Sequence, residues 1–326
     1  MPLQTYLELV KKYVVLSDST TKSLSSTLSR YYVLIWKNTI IGYLSEAVID
    51  ALIALPQEIR DVIHVNICPS ERKISLFQDI STLEARTAAA AILCGYWRKN
   101  RTFKVLDGWR SELYPVYGPG NELLWSIERS ASALFGIVTY GVHLTAYTRD
   151  SNASCGLNFW VPRRAASKQT YSGMLDNTVA GGMAVGEEPL DCLVREAAEE
   201  AGLQENLVRN HAKACGTVTY TYVRDEKAGG EVGLVQPECQ FVYDLELPEG
   251  VVPIPTDGEV ETFYLWRLED VQAALLGEEF KPNCALVLLD FFIRWKIMTE
   301  ENEPDYKEIK RRLHCNLNLC GPHILH

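Results

Sequence analysis

The sequence predicts an α/β (α+β) protein in two units, a smaller α+β unit over residues 1–128 and a mixed α/β sandwich over 129–326. Two observations carry this reading. At ~150 residues per domain, 326 residues exceed one average domain. Short strand and helix patterns alternate up to the Gly118-Pro119-Gly120-Asn121 breaker, and beyond it strand patterns enclose one well-bounded helix. Strands around a central helix, with further helices outside, must bury two faces of a sheet.

In the first unit, residues 3–15 have helical spacing and a Ser/Thr-rich connection follows over 17–29. Alternating apolar residues predict strands at 31–35 and 39–44 around a Lys37-Asn38 turn. Residues 46–55 read as a helix stopped by Pro56. Two short strands, 62–67 and 73–77, flank the polar Pro69-Ser70-Glu71-Arg72 turn. An alanine-rich helix over 82–99 and an extended segment over 112–117 complete the unit.

In the second unit, residues 130–148 hold no Asp, Glu, Lys or Arg, and ~20 apolar residues is the length of a membrane span. Gly136, Gly141, His143 and several hydroxyls argue otherwise, and Tyr140, Val142, Leu144 and Ala146 fall at every second position. The segment is therefore read as a short helix and a buried strand over 137–148, and no membrane partner is expected. Strands follow at 157–163 and 178–180, the latter running into Gly181-Gly182. Pro189 and Gly202 bound the next helix, the asymmetry expected of helix ends. Strands at 214–223, 233–246 and 260–267 and helices at 269–276, 283–298 and 304–313 close the chain.

Lys+Arg 32 against Asp+Glu 42 leaves a net charge of −10. With no basic block, that balance excludes a protein built to grip a phosphate backbone, and no nucleic-acid partner is expected. The nine cysteines include no CxxC pair and form no even framework, so free thiols in a reducing, cytoplasmic setting are expected. Residues 1–4 carry no basic start to a leader. His314-Cys315 with Cys320 and His323 fits no standard zinc spacing.

The decisive stretch is Gly181, five residues, Glu187, seven residues, then Arg195-Glu196-Ala197-Ala198-Glu199-Glu200-Ala201-Gly202-Leu203. On a helix, Glu196, Glu199 and Glu200 share one face within about a turn. Like charges at that spacing cost about 0.2–0.5 kcal/mol per pair. A hard divalent cation reverses the sign of that cost, since Mg²⁺ takes oxygen ligands and shares its shell with substrate phosphates. Arg195 stands four residues before Glu199 and is placed to orient a carboxylate. Gly181-Gly182 lets the backbone approach closely, so that a carbonyl of Gly181 completes a metal shell. A solvated, glutamate-rich face is the ordinary explanation of such a run. It fails here because seven fixed residue types at fixed spacing arise by chance in roughly one window per hundred million.

The segment resembles the Nudix box, G-x5-E-x7-R-E-U-x-E-E-x-G-U, with Ala197 small where a bulkier aliphatic is common. The resemblance implies an α/β/α sandwich and a hydrolase of a diphosphate linked to an organic moiety. Magnesium is the implied cofactor, or manganese in its place. The metal ligands carry over to Glu196, Glu199 and Glu200, with Gly181 beside them and Arg195 and Glu187 in support. Glu199, Glu200 and Glu259 are the candidate catalytic residues.

The flanks narrow the resemblance: Trp160-Val161-Pro162-Arg163-Arg164 with Lys168, Tyr171-Ser172-Gly173-Met174-Leu175-Asp176-Asn177, Phe280-Lys281-Pro282-Asn283, and Gly108-Trp109-Arg110-Ser111-Glu112-Leu113-Tyr114. Together they are similar to the thiamine pyrophosphokinase-related Nudix proteins of fungi and plants. That implies hydrolysis of thiamine diphosphate, above all of its oxidised or damaged forms, to the monophosphate and phosphate. A first unit of unknown role would cover the substrate.

Arg164 and Lys168 are expected to hold the terminal phosphate, against a solvated basic loop. Arg163 is expected to point outward if Arg164 points in. Glu259 is preferred to Glu261 as the carboxylate that activates water. Trp109, with Tyr114, offers an aromatic face to a cationic ring, against core packing as the commoner role. The rivals are a nucleoside-diphosphate hydrolase and an isopentenyl-type isomerase; residues 177–182 lack the cysteine the isomerase chemistry needs.

Overall fold

The computed structural model describes residues 5–15 and 27–325, so most of the expected 17–29 connection lies outside the described residues. Helix α1 (Tyr6–Tyr13) starts at a capping box in which the Thr5 hydroxyl accepts from the Glu8 amide and Glu8 accepts from the Thr5 amide. Leu9, Val10 and Tyr13 face inward, but into the core of the second unit, beside Ile309 and Leu313. The first unit expected at 1–128 therefore gives its first helix to the second, because the apolar stripe of α1 finds its partner face there.

The first unit proper begins with the hairpin β1 (Tyr32–Trp36) and β2 (Thr39–Leu44), turned at Lys37 with φ 54°. Helices α2 (Glu46–Ile53) and α3 (Gln57–Ile63) precede β3 (Asn66–Cys68) and β4 (Lys73–Ser75), giving a four-stranded sheet ordered β2-β1-β4-β3. The strand expected at 62–67 is thus corrected. Pro56 starts a helix, Ile59 and Ile63 fall one turn apart against the first core, and only Asn66 onward is extended. Helix α4 (Leu83–Lys99), capped by the Thr82 hydroxyl 3.1 Å from the Ala85 amide, lies against α3 and shares the first core with this sheet. Its one buried cation, Arg86, donates to the carbonyls of Leu124, Ile80 and Ser81 at 2.6–3.2 Å. A two-stranded ribbon, β5 (Leu113–Tyr117) and β6 (Leu123–Glu128), and the short α5 (Ser132–Phe135) lead into the second unit.

The second unit is a six-stranded sheet ordered β10-β11-β7-β8-β12, with β9 paired to β7. Its strands are β7 (Thr139–Arg149), β8 (Leu157–Arg164), β9 (Val179–Gly182), β10 (Lys213–Val223), β11 (Val235–Glu246) and β12 (Val260–Arg267). Alternation in β7 sends Val142, Leu144 and Ala146 to one face, where α6 (Pro189–Ala201) and α7 (Glu205–His211) pack. The other face is covered by α8 (Leu268–Leu276), α9 (Pro282–Arg294), α10 (Tyr306–Leu313) and α1. This is the expected α/β/α sandwich. Among the described residues no helix is long and apolar enough to cross a membrane.

Before the chain enters β7, α5 packs into the first core and meets β2 at Gly42 and Gly136. A side-chain carbon at Gly42 would fall 2.3 Å from the carbonyl oxygen of Phe135, and one at Gly136, where φ is 56°, would fall 2.1 Å from that of Tyr43. Neither neighbour is a movable side chain, so β2 and the turn after α5 meet backbone to backbone. Gly42→Ala is expected to lower stability by about 1–3 kcal/mol in denaturant unfolding. An unchanged midpoint would show that the junction is loose.

Candidate active site

The chain from β9 to α6 builds the site. Cys192, Leu193, Ala197 and Ala201 are buried against the sheet, which turns Glu196, Glu199 and Glu200 toward the β9 end of the cleft. The small Ala197 is fully buried at this contact, which accounts for the one soft departure from the box. Each glycine of β9 makes room for a side chain from a different element. A side-chain carbon at Gly181 would lie 2.1 Å from the Glu196 carboxyl carbon, and one at Gly182 would lie 1.8 Å from the Tyr114 hydroxyl.

Arg195 organises the acids. Its Nε and Nη2 meet Glu187 at 2.8 and 3.1 Å as a fork, while Nη1 reaches Glu196 at 2.8 Å and Glu199 at 3.2 Å. Burial opposes ionisation of Glu187, yet Arg195 and the Ala184 amide hold its carboxyl below the usual range. Glu196 and Glu200 go the other way. Burial raises both, with Asp176 and Glu196 pushing Glu200 further up and the Ala180 amide only partly compensating. Two buried carboxyls short of positive charge, with an all-oxygen donor set, match what a hard divalent cation takes. Among the described residues no three acidic, His or Cys side chains are already converged on one point. Arg195 holds Glu196 and Glu199, so these must turn from it to meet a cation.

These acids line a cavity of about 440 Å³ that also receives Lys168, Arg164 and Glu259. Lys168 is ion-paired with Glu259, which it keeps below the usual carboxylate range against the effect of burial. Arg164, expected on the phosphate, lines this cavity but is committed to partners within the protein. As the last residue of β8 it points inward and is nearly buried, with Nη1 2.6 Å from Asp176 and its other nitrogens on the carbonyls of Tyr171 and Thr170. It braces the loop over 170–176. Burial would raise Asp176, but Lys281 and Arg164 together hold it down to about 2. Arg163 points away, as alternation requires, onto the Tyr264 ring and the Gly173 carbonyl.

A second cavity of about 500 Å³ adjoins the first. Tyr114, Tyr140, Tyr171, Tyr220 and Tyr222 line it, with His143 and Glu238. Trp109 is not among its lining residues. Its ring packs against the first core under the Arg98 guanidinium, 4.7 Å away, so its expected substrate contact is corrected. The neighbouring Arg110 and Tyr114 reach the cleft instead. Arg110, Arg129 and Lys281 line both cavities, as do Gly181 and Gly182. Arg129 is paired with Glu112 at 2.9 Å, whereas Arg110 and Lys281 have no ion-pair partner among the described residues.

Comparison with known families assigns these parts. The family described as NUDIX domain matches residues 142–285, and the Domain of unknown function DUF4743 matches 12–139. The chain carries a Nudix domain behind a DUF4743 domain. It is 41% identical to the uncharacterized protein YJR142W of Saccharomyces cerevisiae over 216 residues, which are 65% of this chain and 63% of that protein. It is 37% identical over 211 residues to Nudix hydrolase 20, chloroplastic, of Arabidopsis thaliana, covering 64% of this chain and 53% of that protein. The matched part therefore spans about half to under two thirds of these relatives' length. A solved structure from Deinococcus radiodurans shares 21% identity with a TM-score of 0.38, over 54% of this chain and 97% of that one.

The Nudix domain thus supplies the carboxylates, Lys168 and Lys281, while Arg110, Tyr114 and Arg129 fall within the DUF4743 match. The sequence motifs flagged the segments around Arg110 and Lys281, but nothing in one dimension showed that they share a junction. His143 of the Nudix β7 sits there too, buried, its Nδ1 2.7 Å from the Asn177 Oδ1. Burial and Lys281 push its pKa down to about 4 from 6.5. Folding therefore excludes a proton that the unfolded chain takes up. The contribution is complete above pH 6.5 and is lost as pH falls through 4, on the order of 3 kcal/mol at the acid end. Unfolding free energy should fall over that window, and His143→Gln should flatten the slope. His323, also lowered to about 4, would keep part of it. An unaltered slope in the variant would remove His143 as its source.

Proposed function

We propose that this chain hydrolyses a diphosphate linked to an organic moiety, and that the moiety is thiamine or its oxidised or otherwise damaged forms, released as the monophosphate with phosphate. The single observation that supports this most is the pair of joined cavities. One is lined by acids and cations and suits a metal–diphosphate, the other by tyrosines and suits a flat, cationic ring. Of the three cations that border both, Arg110 and Lys281 are without an ion-pair partner among the described residues and stand where a diphosphate bridging the two would lie.

Glu196, Glu199 and Glu200, with the backbone at Gly181, are the residues that would hold magnesium or manganese. Bound there, the metal supplies charge neutralisation of the diphosphate and a more acidic water. The chain does the rest by position. Arg110 and Lys281 donate to phosphate oxygens as charge gathers on the leaving group. Lys168 orients Glu259, whose carboxylate accepts the proton of the attacking water. Arg195 and Glu187 hold the acids in place, and Arg164 keeps the wall over 170–176 fixed. All nine cysteines are free, in keeping with a reducing compartment, and we propose a cytoplasmic location on that ground.

A phosphate-release assay with thiamine diphosphate, its oxo and oxy analogues and ADP-ribose tests the reading. Release from the thiamine series that needs added magnesium is expected. Glu200→Gln should lower turnover by about 10³ or more, because it removes a charge from the donor set. Dominant cleavage of ADP-ribose would replace the substrate, and metal-independent release would overturn the site. Arg110→Ala and Lys281→Ala should each lower kcat/KM by about 10–100-fold, the weight of a charge-assisted hydrogen bond. Trp109→Phe should leave it unchanged. The reverse ranking would return Trp109 to the substrate.

A further inference from the structure

We propose that the Tyr114 hydroxyl holds the inner phosphate of the substrate, the one that stays on the organic moiety after cleavage, so that the DUF4743 domain grips the product half of the diphosphate. The inference rests on the diphosphate-hydrolase reading for the identity of the anion and deepens it by assigning a residue to one of the two phosphates.

Tyr114 is a β5 residue only 6% exposed. A buried tyrosine ordinarily finds a partner for its hydroxyl. Among the described residues this hydroxyl has none, and the carboxylates of Glu112, Glu196 and Glu238, all close enough to act on it by charge, do not accept from it. Phenylalanine would fill the same space. Burial pushes the phenol above its usual range despite the opposing charge of Arg129, so the group stays a neutral O–H donor.

The hydroxyl sits where the two cavities meet. A side-chain carbon at Gly182 would fall 1.8 Å from its oxygen, so it lies on the bare face of Gly182, a residue that borders both cavities. That position is fixed from two sides. Tyr114 is opposite Ile127 in the β5–β6 ribbon, and the Val185 amide, just past β9, donates to the Leu113 carbonyl at 2.8 Å. The Arg129 guanidinium stands 5.4 Å from the Tyr114 ring centroid and brings positive charge to the same place.

Connectivity then orders the substrate along the cleft. With the ring in the tyrosine-walled cavity and the terminal phosphate among the acids, the inner phosphate lies between them, at Gly182. A phosphate oxygen is the acceptor the hydroxyl lacks, and the bond is strengthened by the ligand's charge. A grip on the phosphate takes no account of the state of the ring, which suits a site that admits intact and damaged rings alike.

The test is calorimetric binding of thiamine and thiamine monophosphate, and of the corresponding oxythiamine pair, to the full chain with magnesium. The wild type is expected to bind each monophosphate more tightly than its unphosphorylated form. Tyr114→Phe should narrow that gap by about tenfold or more, the weight of a hydrogen bond to a charged group. It should do so equally in both pairs and leave the unphosphorylated compounds unaffected. The unfolding midpoint should hold, because the hydroxyl bonds nothing within the protein. A gap absent from the wild type or unchanged in the variant, equal weakening of both members of a pair, or a lowered midpoint would overturn the assignment. A fall in kcat with the gap intact would overturn it too, making Tyr114 a positioning residue for Glu196. A narrowed gap in a chain that releases phosphate from no diphosphate would leave this inference standing and remove the hydrolase reading; release with an unchanged gap would do the opposite.

Discussion

Two largely buried carboxylates one turn apart on a helix, Glu196 and Glu200, are unfavourable without positive charge close by, and the centre of this protein is arranged around that constraint. Arg195 answers part of it by forking onto Glu187 and touching Glu196 and Glu199. Glu200 gets only a backbone amide, and lies near Asp176 besides. The remaining deficit of charge is what a divalent cation would fill. The glycines of β9 follow from the same constraint, since any side chain at Gly181 would displace the Glu196 carboxylate.

Placing acids at one end of a cleft decides where the cations must stand. Arg164 pairs with Asp176 and Lys168 with Glu259, so much of the basic charge on the Nudix side is already committed. Arg110 comes from the other domain and is uncommitted. Tyr114 and Arg129 arrive with it on the ribbon β5–β6 and the turn after it, and Tyr114 sits directly on Gly182. The DUF4743 domain therefore forms part of the cleft wall. The backbone-to-backbone contact of β2 with the turn after α5 fixes the end of this domain directly before β7 begins.

Much of this was legible in the sequence. Period-2 alternation of Tyr140, Val142, Leu144 and Ala146 located β7, and Pro189 with Gly202 located α6. The box named the acids because their spacing has no structural use of its own. Other parts were hidden for definite reasons. Ile63 and Ile67 sit in a short apolar stretch that alternation assigns to a strand, yet Pro56 and Ile59 draw the first half into α3. Arg164 has the chemistry of a phosphate ligand, but Asp176, twelve residues on, captures it within the same loop. Trp109 and Arg110 are adjacent, and only the fold shows that the first turns to the core and the second to the cleft. The buried Glu238 carries no motif at all.

The most direct test of the composite cleft is a crystal structure of the full chain with manganese and a non-hydrolysable diphosphate analogue, the metal located by its anomalous signal. The account predicts metal among Glu196, Glu199 and Glu200, with the analogue's phosphates within hydrogen-bond reach of Arg110 and Lys281. Metal elsewhere, or an analogue held by the Nudix domain alone with Arg110 in solvent, would contradict it.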